Sequence, residues 1–165
     1  MKKIQSIQDY QQEYRKSIEN PEVFWAEIAE GFSWRRKWSK VLEWNYPWAK
    51  WFVGARCNIA YNCLDRHMKT WRKNKVALIW VGENDQERIF TYAELYRQVN
   101  RCANALKKLG LQQGDRVTIY LPKIPEQVIA MLACARIGVI HSVVYSGFSA
   151  PALANRINDA EAKLV

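Results

Sequence analysis

The chain has 165 residues, enough for one domain that buries roughly 70% of its unfolded surface. Its 49% hydrophobic and 25% charged residues exclude a disordered tail, a collagen and a low-complexity array. The net charge of +9 is uneven, since residues 1–75 carry 15 Lys and Arg against 8 Asp and Glu. All eight tryptophans fall between residues 25 and 80, so composition divides the chain near residue 75. Residues 1–75 are expected to form a basic, Trp-rich wrapping segment, and residues 76–165 a more conventional domain.

In chain order, Ile4, Ile7, Tyr10, Tyr14 and Ile18 lie at helical spacing up to Asn20-Pro21. Asn20 can cap a second short helix, with Pro21 at its first position and Gly31 just past its end. From Phe32 to about Asn74 no single period holds. This stretch is expected as an extended wrap with short strands or turns, whose aromatic rings cover another surface, because so much apolar area is costly in water.

Val76–Val81 predicts a strand, Gly82–Asp85 a turn and Arg88–Phe90 a second short strand. Thr91 with Glu94 forms a capping box for a helix that ends at Gly110, with Leu95, Val99, Cys102, Leu106 and Leu109 as its buried stripe. Arg116–Leu121 is the next strand, 125–137 a helix that is apolar nearly all round, and Val139–Val144 a further strand. Ser149 opens a last helix reaching about Asp159, and Lys163 begins one more strand. Strands alternating with helices at this spacing predict βαβ units, a parallel sheet and helices on both faces, an α/β fold. The chain stops as a strand begins, whereas domain boundaries fall in exposed polar linkers, so more polypeptide is expected to follow.

No window of about 18 apolar residues predicts a membrane span. The opening MKKIQSIQDYQQEY lacks the apolar stretch of a secretory signal. Cysteines 57, 63, 102 and 134 form no CxxC pair and predict reduced thiols in a cytoplasmic protein. Cys57, Cys63 and His67 supply three ligands where structural zinc needs four, so no metal site is expected. His141 lies mid-strand, where a buried, hydrogen-bonded histidine outweighs a general base. The run Trp34-Arg35-Arg36-Lys37-Trp38 interleaves rings and cations, but Glu27, Glu30 and Glu43 flank it, so no nucleic-acid partner is expected.

No glycine-rich phosphate cradle of the G-x-G-x-x-G or G-x4-G-K-[ST] type occurs. Tyr145-Ser146-Gly147-Phe148-Ser149 instead joins the carboxyl end of a strand to a helix start, where ligands approach an open parallel sheet. The loop Pro122-Lys123-Ile124-Pro125 leaves the neighbouring strand at the same edge. Gly147 there is expected to permit positive φ and a close approach of ligand to backbone.

Three phrases extend this reading. Trp51-Phe-Val-Gly-Ala-Arg-Cys-Asn-Ile-Ala-Tyr-Asn-Cys-Leu-Asp-Arg-His67 resembles the N-terminal signature of acetyl-CoA synthetases, the AMP-forming acetate–CoA ligases. Phe90–Tyr96 resembles the first core motif of the wider adenylate-forming superfamily, and Met131–Ser149 its second. The resemblance implies the large N-terminal domain of an adenylate-forming enzyme. Acetate and ATP would give acetyl-adenylate and pyrophosphate, with Mg2+ neutralising phosphate charge, and the CoA thiol would then displace AMP. It implies small-molecule partners (acetate, ATP, CoA), no membrane, and dependence on the remainder of the same polypeptide. The family's phosphate loop, acetate-pocket tryptophan and catalytic lysine have no counterpart here, so no catalytic residue is expected within residues 1–165 and the chain alone is expected to be inactive. Tyr145, Ser146, Gly147 and Phe148 fall where the family has its CoA tunnel. Only Gly147 and Phe148 match the common F-G-G-F or F-A-G-F form. Propionyl-CoA and acetoacetyl-CoA synthetases share much of this segment, which leaves the acyl group open. A basic aromatic binding module without catalysis is the alternative from a different class.

Overall fold

The computed structural model describes residues 3–165, and packing separates them into two units that divide between Asn58 and Ile59. The division in packing lies ahead of the compositional change near residue 75.

In the first unit Ser6 starts helix α1 (Ile7–Glu19), its hydroxyl oxygen accepting the Asp9 N–H at 3.1 Å. Helix α2 (Pro21–Ala29) follows, with Pro21 in the first turn, but the Asn20 side chain makes no capping hydrogen bond. Lys16 and Glu27 link the two helices at 2.5 Å. The stretch without a period is a hairpin of β1 (Lys40–Asn45) and β2 (Trp48–Val53), antiparallel with Leu42 opposite Trp51. Three rings of this stretch cover one another, and most of the others are exposed, so they do not cover another surface as expected. Trp34, Trp38 and Phe52 lie with centroids 5.1–5.5 Å apart, and the Trp34 indole N–H donates to the Ala29 carbonyl at 2.8 Å. Trp44, Tyr46 and Trp48 at the hairpin tip are exposed.

The second unit begins helically where extended chain was expected. A π turn (Tyr61–Asp65) runs into the short helix α3 (Arg66–Met68), and Ala60 and Leu64 are buried beneath it. Strand β3 (Val76–Val81) pairs antiparallel with β4 (Glu87–Thr91), Trp80 standing opposite Arg88. These two form a sheet of their own, so the parallel arrangement expected over 76–165 is confined to the later strands.

The capping box forms as read: Thr91 and Glu94 each satisfy the other's backbone N–H and open α4 (Tyr92–Lys108). Leu95, Val99, Ala103 and Leu106 make the buried stripe, while Cys102 is half-buried and Leu109 is exposed beyond the helix end. The expected stripe thus names Cys102, one residue before the buried Ala103, and at Leu109 passes one residue beyond the helix end.

Strand β5 (Arg116–Leu121) lies parallel to β6 (Ile140–Tyr145), joined by α5 (Pro125–Ile137), which Gly138 ends in the left-handed conformation. Helix α6 (Ala150–Asp159) then returns the chain to the far edge of β5, where the Thr118 N–H donates to Leu164 O at 2.9 Å. The crossover from β5 to β6 and the one from β6 back past β5 step in opposite directions, and right-handed connections of that kind place α5 and α6 on opposite faces. Val99, Leu106, Val117, Ile119, Ile129 and Ala133 form the core, each larger side chain contributing about 1.5–3 kcal/mol by burial. Arg136 grips Asp65 with two hydrogen bonds, at 3.0 and 2.6 Å, and its guanidinium lies over the Tyr96 ring at 5.2 Å.

Candidate functional site

The carboxyl ends of β5 and β6 lie side by side because Leu121 pairs with Tyr145. One strand hands on to a helix on one face and its neighbour to a helix on the other, which opens a crevice between the two departing loops. A cleft of about 500 Å³ occupies that position, lined among others by Trp80, Gly82, Glu83, Lys123, Tyr145 and Ser146.

Of the four residues singled out in sequence, Tyr145 and Ser146 line the cleft, and Gly147 and Phe148 stand in the loop behind it. The loop is pinned from β5: the Tyr120 hydroxyl lies 2.7 Å from the Ser146 carbonyl and 3.0 Å from that of Phe148, sharing its one proton between them. The Phe148 N–H closes the turn onto Tyr145 O at 3.1 Å. Tyr145 and Phe148 meet edge to face at 6.1 Å, and the Arg156 guanidinium covers the Phe148 ring at 4.4 Å.

Gly147 lacks the expected positive φ, and a neighbouring ring occupies the space beside it. The Tyr145 ring folds back over it, so that a Cβ would stand 2.5 Å from Tyr145 Cε1. Gly82 repeats the device, with a Cβ there meeting Trp80 Cη2 at 2.8 Å. Trp80-Val81-Gly82 and Tyr145-Ser146-Gly147 are thus the same aromatic-x-Gly pattern at the ends of two strands. That repetition is the signal by which Trp80, absent from the sequence reading, could have been found.

Trp80 is fixed by its indole N–H, which donates to Lys123 O at 2.7 Å. At the first turn of α5 the Arg88 guanidinium holds the Glu126 carboxyl below its ordinary range.

The other candidates do not converge on a site. His67 is buried against Tyr92, with ring centroids 4.8 Å apart; desolvation first, then Arg66 and Arg72, lower its pKa. His141 is half-buried on β6. Among the described residues no three His, Cys, Asp or Glu side chains gather to hold a metal ion. Within the basic run, Arg36 donates from Nε to Gly54 O at 2.6 Å, and Lys37 pairs with Glu30 at 2.5 Å. Cys134 is buried in the core, which pushes its thiol up to about 11, with Cys102 adding to the effect. No described helix is long and apolar enough to cross a membrane.

A parallel β–α–β unit with a ligand-sized crevice at its carboxyl edge defines an α/β ligand-binding domain. Residues 64–165 match the model of the AMP-binding enzyme family, and residues 10–63 match that of the acetyl-coenzyme A synthetase N-terminus. The chain belongs to the AMP-binding enzyme family. It is 52% identical over 162 residues to an acetyl-coenzyme A synthetase of Chlorobaculum tepidum, covering 98% of this chain and 25% of that one. It is 53% identical over 157 residues to one of Deinococcus radiodurans, covering 95% and 24%. Among solved structures, acetoacetyl-CoA synthetase from Streptomyces lividans superimposes with a TM-score of 0.84 at 34% identity, covering 91% of this chain and 24% of that one. The chain thus spans about a quarter of the length of the curated relatives it matches.

Proposed function

We propose that this chain is the N-terminal quarter of an AMP-forming acetate–CoA ligase and that its cleft faces the CoA arm. The observation that carries the reading is the order of the two family matches. A segment of acetyl-coenzyme A synthetase type (10–63) stands directly ahead of an AMP-binding one (64–165). In the first half-reaction an acetate oxygen attacks the α-phosphorus of ATP and pyrophosphate leaves. In the second, the CoA sulfur, having lost its proton, attacks the acetyl carbonyl carbon and AMP leaves.

Residues of this chain serve the second step. Tyr145 and Ser146 border the cleft, and Tyr120 holds their loop in place so that an incoming chain meets a preorganised wall. Magnesium, implied as the counter-ion of ATP, has no cluster of carboxylates to bind among the described residues.

The test is product identity in a full-length polypeptide containing this chain. Acetate should release AMP and pyrophosphate and form acetyl-CoA, with a higher kcat/KM than propionate or acetoacetate. Release of ADP, or a clear preference for acetoacetate, would overturn the assignment.

A further inference from the structure

The β3–β4 hairpin is tied to the segment that leaves β5 by two side chains that start from one rung of its ladder, and one of them, Trp80, lines the cleft. Trp80 and Arg88 are cross-strand partners. Trp80 donates its indole N–H to Lys123 O at 2.7 Å, and Arg88 meets the Glu126 carboxylate at 2.7 Å. Both ties land on the segment that leaves β5, one at its middle and one in the first turn of α5. That segment has weak internal means of holding a shape. Pro122 and Pro125 supply no N–H, and its local hydrogen bonds run from Ile124 N–H to Pro122 O and from Gln127 N–H to Ile124 O.

Across the cleft stands Tyr145, whose loop is tied down separately by Tyr120. Each wall therefore carries an aromatic ring laid over a glycine and a tether from a different strand. The gap between the walls depends on both tethers. Tyr120 ties one from β5, and Trp80 ties the other from β3.

We propose that Trp80, seated by its rung partner Arg88, is a positioning residue for the CoA-dependent step. It holds the Pro122–Ile124 wall at the spacing from Tyr145 that admits a narrow, flexible chain such as the pantetheine arm. The inference rests on the CoA reading of the cleft given above.

The experiment measures both half-reactions in a full-length polypeptide containing this chain. Trp80→Phe keeps a ring and deletes the donor. Loss of one hydrogen bond of ordinary strength should raise the CoA KM by about three- to tenfold. The second-step kcat and acetate-dependent pyrophosphate exchange should move by less than about twofold. Trp80→Leu, which removes the ring as well, should raise the KM further. Should that variant fail to fold, Arg88→Gln leaves the indole in place and breaks the second tie; it should raise the CoA KM by about two- to threefold.

Tyr145→Ala separates the role of Trp80 from CoA binding in the cleft. A CoA KM raised by Tyr145→Ala but unmoved by Trp80→Phe overturns the role of Trp80 and leaves the CoA reading standing. A KM unmoved by either substitution overturns the CoA reading itself. Equal losses in both half-reactions for Trp80→Phe would make Trp80 a structural residue and refute its positioning role.

Discussion

Adding one methyl group at Gly147 tests whether the loop behind the cleft exists to seat the Tyr145 ring. The Cβ of Gly147→Ala would stand 2.5 Å from Tyr145 Cε1 and 3.2 Å from Cδ1 and Cζ. Carbon atoms settle about 3.5–4.0 Å apart, so the ring must retreat by about 1 Å or more. The backbone poses no obstacle, because φ at this position is not positive. The ring is exposed and can swing aside at the expense of its edge-to-face contact with Phe148, worth about 0.5–1.5 kcal/mol. Replacing glycine also stiffens the unfolded chain, which offsets about 0.4–1 kcal/mol of that loss. Net stability should therefore change by less than about 1 kcal/mol, a shift of roughly 2–4 °C at most in the midpoint of thermal unfolding.

The displaced ring should nonetheless narrow the cleft and raise the CoA KM of a full-length polypeptide. Tyr145→Ala removes the obstruction. In that background Gly147→Ala should have no further effect on KM, so the two substitutions couple strongly in a double-mutant cycle. Equal effects of Gly147→Ala with and without the Tyr145 ring would refute the packing explanation.

Three other outcomes follow from the packing. Asp65→Ala strands the largely buried Arg136 guanidinium and should destabilise the chain by about 3 kcal/mol, seen as a lower urea midpoint with an unchanged slope. Thr91 hydrogen bonds hold the Glu94 carboxyl below its ordinary value of 4.5. That cap therefore stabilises fully above this value and is lost as pH falls through the depressed one; Glu94→Gln should flatten the fall in urea midpoint as the pH drops below 4.5. Cys57 and Cys63 are exposed, whereas the Cys134 thiol is buried and raised to about 11. Iodoacetamide should accordingly label the first two in the native chain and reach Cys134 only on unfolding, as peptide mass analysis would report.

Elements whose ends carry their own chemistry were legible in the sequence. Thr91 and Glu94 marked the start of α4, Pro125 and Gly138 bracketed α5, and the alternation after residue 110 announced the β5–α5–β6 crossover. Short strands were expected between Phe32 and Asn74, but the bounds and pairing of β1 and β2 were hidden because Val41 and Leu42 stand side by side and rings occupy both faces, which erases the two-residue period. The helical stretch after Ile59 was hidden too, since Asp65 gains its anchor from Arg136, 71 residues away. In the site, the strand-end position of Tyr145–Phe148 could be read directly. The Trp80 wall could not, because its hydrogen bond to Lys123 spans 43 residues and leaves no local trace beyond the glycine two positions on.

Hydrogen exchange tests the CoA assignment most directly. A full-length polypeptide containing this chain would be compared with and without CoA in the presence of a non-reactive acetyl-adenylate analogue. CoA should slow exchange of the amides at 123–124 and 145–148, the two loops that border the cleft. Unchanged exchange in both loops, with CoA-dependent protection appearing elsewhere in the polypeptide, would contradict the assignment.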